Sequence, residues 1–118
     1  MKGDDSLVPD CRSFEVVSPA GGERYTVEFR WLQTAISLRR TDTVDVRFLV
    51  NGASKTVALP HGALETACRN AGQPLTDELC LRIAAHHLRS ALLAGQDVDQ
   101  EVITLTAERV DELARSLI

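Results

Sequence analysis

The five aromatic side chains of this 118-residue chain, Phe14, Tyr25, Phe29, Trp31 and Phe48, all fall in its first half, among apolar residues that alternate with polar ones. The second half is aliphatic, and its apolar positions recur at a helical period. Alternation lays one face of a strand against a core, whereas i, i+3, i+4 spacing does the same for a helix. Strands followed by helices predict an α+β domain, in which an antiparallel four- to five-stranded β-meander is covered on one face by two or three C-terminal helices. Residues 1–12 contain Gly3, Pro9 and several charges with no periodicity and read as a flexible N-terminal arm, leaving 13–118 as a single domain.

Along that domain, Phe14-Glu15-Val16-Val17 reads as a first strand, closed by the turn formers Ser18-Pro19-Ala20-Gly21-Gly22. In the next strand, Tyr25 to Leu32, the residues Tyr25, Val27, Phe29 and Trp31 share one face, which predicts that all of these rings lie in the core. Ala35 to Arg39 reads as a third strand and Thr41-Asp42-Thr43 as a polar turn. Val44 to Val50 follows as a fourth strand, and Asn51-Gly52 supplies the positive φ angles of a tight hairpin into a fifth, Lys55 to Leu59. Phe14–Val17 and Lys55–Leu59 are then the outer strands, with open edges.

Pro60 opens a short helix with Leu64, Ala67, Cys68 and Ala71 on one face, ended by Gly72. Thr76 reads as the N-cap of the longest helix, in which Cys80, Ala84, Leu88, Ala91 and Leu92 cluster opposite Arg82, His86 and Arg89. Gln96 to Glu101 reads as an acidic loop, and Val102-Ile103-Thr104-Leu105 as either a short strand or an extended connector. Thr106 caps a last helix bearing Ala107, Val110, Leu113, Ala114 and Leu117.

The formal charge of −4 is unevenly placed. Residues 1–59 balance 8 basic against 8 acidic side chains, while residues 60–118 carry 5 against 9. An acidic surface repels a phosphate backbone, which disfavours nucleic acid as a general partner. No apolar run approaches the ~20 residues of a membrane span, and the charged start lacks the apolar core of a secretory signal, so the reading is cytoplasmic. The 3 cysteines, Cys11, Cys68 and Cys80, are odd in number and lack C-x-x-C spacing, which reads as reduced thiols; the alternative is a Cys68–Cys80 redox pair.

His86 and His87 are the residues best suited to acid, base or metal chemistry, yet adjacent positions on a helix point about 100° apart and cannot share one ion. Neither forms an H-E-x-x-H pattern, so both read as boundary histidines, and His61 cannot be placed beside them by sequence. Arg39, Arg40 and Arg47 form the local basic cluster, able to grip phosphate or carboxylate, with Asp42 and Asp45 nearby to offset it. Gly21-Gly22 lacks the setting of a phosphate loop, and Asp97-x-Asp99-x-Glu101 lacks the glycine of a calcium loop. No catalytic, cofactor or metal motif emerges.

Val46-Arg47-Phe48-Leu49-Val50-Asn51-Gly52, the helix with Ala63-Leu64-Glu65, the long His86-containing helix and the closing Thr104-Leu105-Thr106-Ala107 resemble a family of short bacterial proteins known as a domain of unknown function. The resemblance covers roughly residues 44–110, and the strands ahead of it depart from the family. It implies a hairpin paired with helices and transfers no functional residue. The expectation is therefore a non-enzymatic interaction or regulatory module that pairs with a protein partner or with itself as a homodimer. Anion or nucleic-acid binding through Arg39, Arg40 and Arg47 is the first alternative, and a small enzyme using a histidine the second.

Overall fold

A computed structural model describes residues 12–17, 22, 24–36, 42–94 and 102–117. The element order is β1 (Ser13–Val17), β2 (Arg24–Ile36), β3 (Asp42–Val50), β4 (Ala53–Pro60), α1 (His61–Ala71), α2 (Asp77–Leu93), β5 (Val102–Thr104) and α3 (Ala107–Leu117). Among the described residues these strands form one 5-stranded sheet in the order β1-β2-β3-β4-β5. The first four are an antiparallel meander, and β5 runs parallel to β4. The α+β architecture read from the sequence is thus the architecture of the protein.

Two strand assignments need correction. Ala35 and Ile36 do not begin a third strand but end the long β2, opposite Thr43 and Asp42 of β3; residues 37–41 lie outside the described residues. The meander therefore has four strands, and the fifth is Val102–Thr104. That run joins the sheet because α1 and α2 supply the long crossover that parallel pairing requires. Thr56, Val57 and Ala58 pair with Val102, Ile103 and Thr104, and the Leu105 amide extends the seam by donating to the Ala58 carbonyl at 3.0 Å. Lys55–Leu59 is consequently an interior strand, its outer edge paired at Thr56–Ala58, while β1 has β2 as its one strand neighbour among the described residues.

The β3–β4 hairpin turns where the Asn-Gly pair predicts, with φ of 52° at Asn51 and 84° at Gly52. Asn51 also reaches across to β2: its side-chain oxygen accepts from the Thr26 amide at 2.8 Å, and its own amide donates to the Thr26 carbonyl at 2.9 Å. Arg12, at the end of the expected arm, accepts from the Phe29 amide at 2.7 Å, and residues 1–11 lie outside the described residues. The helix ends follow their capping residues. Gly72 closes α1 in the left-handed conformation, Thr76 Oγ1 accepts from the Leu79 amide at 3.1 Å, and Thr106 Oγ1 accepts from the Arg109 amide at 3.1 Å.

The helices cover one face of the sheet. Val16, Val27, Val44, Val46, Phe48, Val50, Val57 and Leu59 project from the strands into one core with Leu64, Ile83, Leu88, Leu92 and Val110 of the helices. The long α2 crosses all strands of the meander, and α3 packs on α1 and α2. Fully burying a Leu, Ile or Val side chain contributes about 1.5–3 kcal/mol, and this core is the main source of stability.

Trp31 does not join that core. Phe29 pairs with Phe48, but Trp31 pairs with Arg47, so Arg30 is an extra residue, a bulge in β2. Beyond it the alternation is reversed: Leu32 opposes the buried Val46, and Trp31 emerges on the far side, 37% exposed. Phe29 stays inward, edge-on to Phe48 with ring centroids 6.1 Å apart, and Tyr25 is half-buried against the same core.

Candidate functional site

The sheet face turned away from the helices carries the arrangement of greatest chemical interest. Directly paired residues of neighbouring strands project to the same side. The registers Trp31↔Arg47, Arg47↔Thr56 and Thr56↔Val102 therefore line these four side chains up in one row across β2, β3, β4 and β5. Arg47 is its centre. Its guanidinium carbon lies over the Trp31 ring, 4.9 Å from the centroid, and its Nε donates to Thr56 Oγ1 at 3.1 Å. Such a stack is worth about 0.5–1 kcal/mol at an exposed site and also fixes where the charge sits. Thr56 is 4% exposed, the one buried polar side chain among the described residues.

Apolar and acidic groups share the face with this row. The large hydrophobic side chains left exposed among the described residues are Trp31, Val17 at 50% and Val102 at 51%, and all belong to this helix-free face. Glu15, Glu28 and Asp45 share it; Asp45 accepts from the Thr43 hydroxyl at 2.8 Å, and Glu15 faces Arg24 at 3.9 Å. Of the expected basic cluster, Arg47 is half-buried here, whereas Arg39 and Arg40 lie outside the described residues.

The histidines have separate partners. His87 Nδ1 accepts from Arg109 Nε at 3.1 Å, so its proton sits on Nε2. Burial, and then the Arg109 charge, lower its pKa; burial, Arg82 and Arg89 lower that of His86. His61 Nδ1 faces Glu65 Oε1 at 3.3 Å, one turn along α1, beside a cleft of about 780 Å³ between α1 and α3. The far wall of that cleft carries the Asp111–Arg115 ion pair, 2.9 Å apart, and the rest is mainly small residues such as Gly62, Ala63 and Ala67. No group of three or more His, Cys, Asp or Glu side chains that could hold a metal occurs among the described residues.

Cys68 and Cys80 are buried free thiols. Burial, followed by the charges of Asp77 and Cys68, pushes the Cys80 thiol up to about 12, far from the reactive range. Cys11 lies outside the described residues.

Sequence reasoning found Arg47 but not its partners. A two-residue turn at Asn51-Gly52 places Arg47 opposite Thr56, so that contact was available from the hairpin register alone. The Trp31 contact was not, because the unbroken alternation through Phe29-Arg30-Trp31 hides the bulge. No protein-family model matches the chain, and comparison with curated proteins and with solved structures finds no significant match. No helix among the described residues is long and apolar enough to cross a membrane.

Proposed function

We propose that this chain is a non-enzymatic interaction module, cytoplasmic and possessing a contact surface for a protein partner or a second copy on the open face of its sheet. The observation that carries this reading is the placement of Val17, Trp31 and Val102 on the face that no helix among the described residues covers. Exposed apolar side chains grouped on one face mark contact surfaces, and an indole is a frequent anchor in them. The resemblance to the bacterial family of unknown function belongs to the same proposal and adds no site residue.

Oxidative footprinting tests it, with the purified protein compared with the same protein in an extract of its host cell, and sedimentation equilibrium reporting self-association. Trp31 and Val102 should be protected in the extract or on raising the concentration. Equal oxidation of Trp31 in every condition, with a monomer throughout, would remove the reading.

A second reading, anion or nucleic-acid binding by Arg39, Arg40 and Arg47, draws support from the oriented guanidinium of Arg47. Glu15, Glu28 and Asp45 on the same face, with the net charge of −4, oppose a polyanion. Salt-sensitive binding abolished by Arg39→Glu with Arg40→Glu would favour this second reading.

A further inference from the structure

We propose that Arg47 is the seat for a single carboxylate, the side chain of an Asp or Glu flanked by apolar residues in a segment of a partner protein. The inference rests on the open-face reading and names the chemistry of the occupant. A guanidinium has five N–H donors in a planar fork. Arg47 donates its Nε–H to Thr56, and its guanidinium carbon sits over the Trp31 ring. Its four terminal N–H groups meet no carboxylate or other acceptor among the described residues.

Some arginines contrast with it in pairing, and Arg30, Arg69, Arg82 and Arg89, which meet no carboxylate among the described residues, lack its two fixed contacts. Arg24, Arg109 and Arg115 each face a carboxylate of this chain, at 3.9, 3.6 and 2.9 Å. Arg47 is instead half-buried, held in place from two sides, and faces no carboxylate among the described residues. Pre-orienting the fork removes the ordering cost that a flexible arginine carries into binding, and a carboxylate matches its spacing with two parallel hydrogen bonds.

The neighbourhood selects among anions. Asp45 lies two residues along β3 on the same face, and its negative charge disfavours a dianionic phosphate or a phosphodiester chain more than a single carboxylate. Trp31 at one end of the row and Val102 at the other offer apolar contact to whatever flanks the carboxylate. Charge complementarity and apolar surface thus describe one occupant, an acidic side chain set among hydrophobic ones.

The probes are phenylacetate, its neutral analogue phenylacetamide and inorganic phosphate, added to the full chain and followed by 15N NMR at Arg47 Nε–H and the Trp31 indole N–H. Trp31 is the only tryptophan, so its signal needs no assignment. Phenylacetate should shift both signals saturably and bind at least about tenfold more tightly than phenylacetamide. That preference should vanish in Arg47→Gln and shrink in Thr56→Val, which keeps the charge but frees the fork; two variants guard against one failing to fold. Equal binding of phenylacetate and phenylacetamide would overturn the carboxylate seat while leaving the open face as an apolar contact surface. Phosphate binding more tightly than phenylacetate would overturn it in favour of a phosphoryl ligand. If neither organic probe moves the two signals, the seat is likewise rejected, and footprinting alone then decides whether the face contacts a protein.

Discussion

His87 shows how a single contact sets the state of a side chain. With Nδ1 occupied by the Arg109 donor, His87 is neutral in the folded protein, and burial lowers its pKa together with that of His86. The unfolded chain takes up protons at the ordinary histidine value of 6.5, above the folded values. The resulting stability is complete above 6.5 and fades as pH falls through the lowered folded pKa values. Urea midpoints should therefore drop between about pH 7.5 and about pH 5.5, and His86→Gln with His87→Gln should flatten that drop. A midpoint falling equally in the double variant would assign the loss to other groups. A thiol at about 12 holds far less thiolate at neutral pH than an unfolded cysteine. Iodoacetamide should accordingly label Cys80 in the native protein roughly a hundredfold or more slowly than in urea, as read by peptide mass spectrometry.

Elements were legible wherever one period ran unbroken between clear stop signals. The Asn51-Gly52 turn, the Thr76 and Thr106 caps and the Gly72 terminus all lie where residue chemistry places them. Legibility failed at Arg30, because a bulge is defined by the partner strand, and the sequence around it alternates as a regular strand would. It failed again for Val102–Thr104, since a run this short carries no period and only its pairing with β4 makes it a strand. The same bulge explains why the candidate site was half visible: the charge of Arg47 could be read, the outward indole could not. Deleting Arg30 should remove the bulge and leave the faces unchanged, with Trp31 still outward opposite Arg47 and Leu32 still inward opposite Val46. The indole emission should stay that of an exposed ring, and a red shift on deletion, which would mean that Trp31 had been in the core, would contradict the bulge. Thr76→Ala should cost about 1 kcal/mol in urea unfolding, the usual worth of an N-cap.

At the scale of the whole molecule, the two faces of the sheet differ in what they contribute. Leu88 lies in the core between α2 and the strands, and Leu88→Ala should destabilise by about 2–5 kcal/mol. Val17→Ser, on the far face, should change stability by no more than about 0.5 kcal/mol, because the side chain is half exposed and no element among the described residues packs over it. Comparable losses in urea unfolding from both substitutions would mean that the outer face is covered in solution. An asymmetry of this kind lets the outer face change without endangering the fold, which is the freedom a recognition surface needs.

The strap at Val102–Thr104 also has a bearing on synthesis of the chain. Until those residues leave the ribosome, the hairpin partner ahead of them keeps a row of unsatisfied amides and carbonyls along one margin, a template for unwanted joining to other strands. Fragments ending before Val102 should be sticky and prone to precipitate, however intact their first four strands, because the stretch that seals the border is translated after all of them.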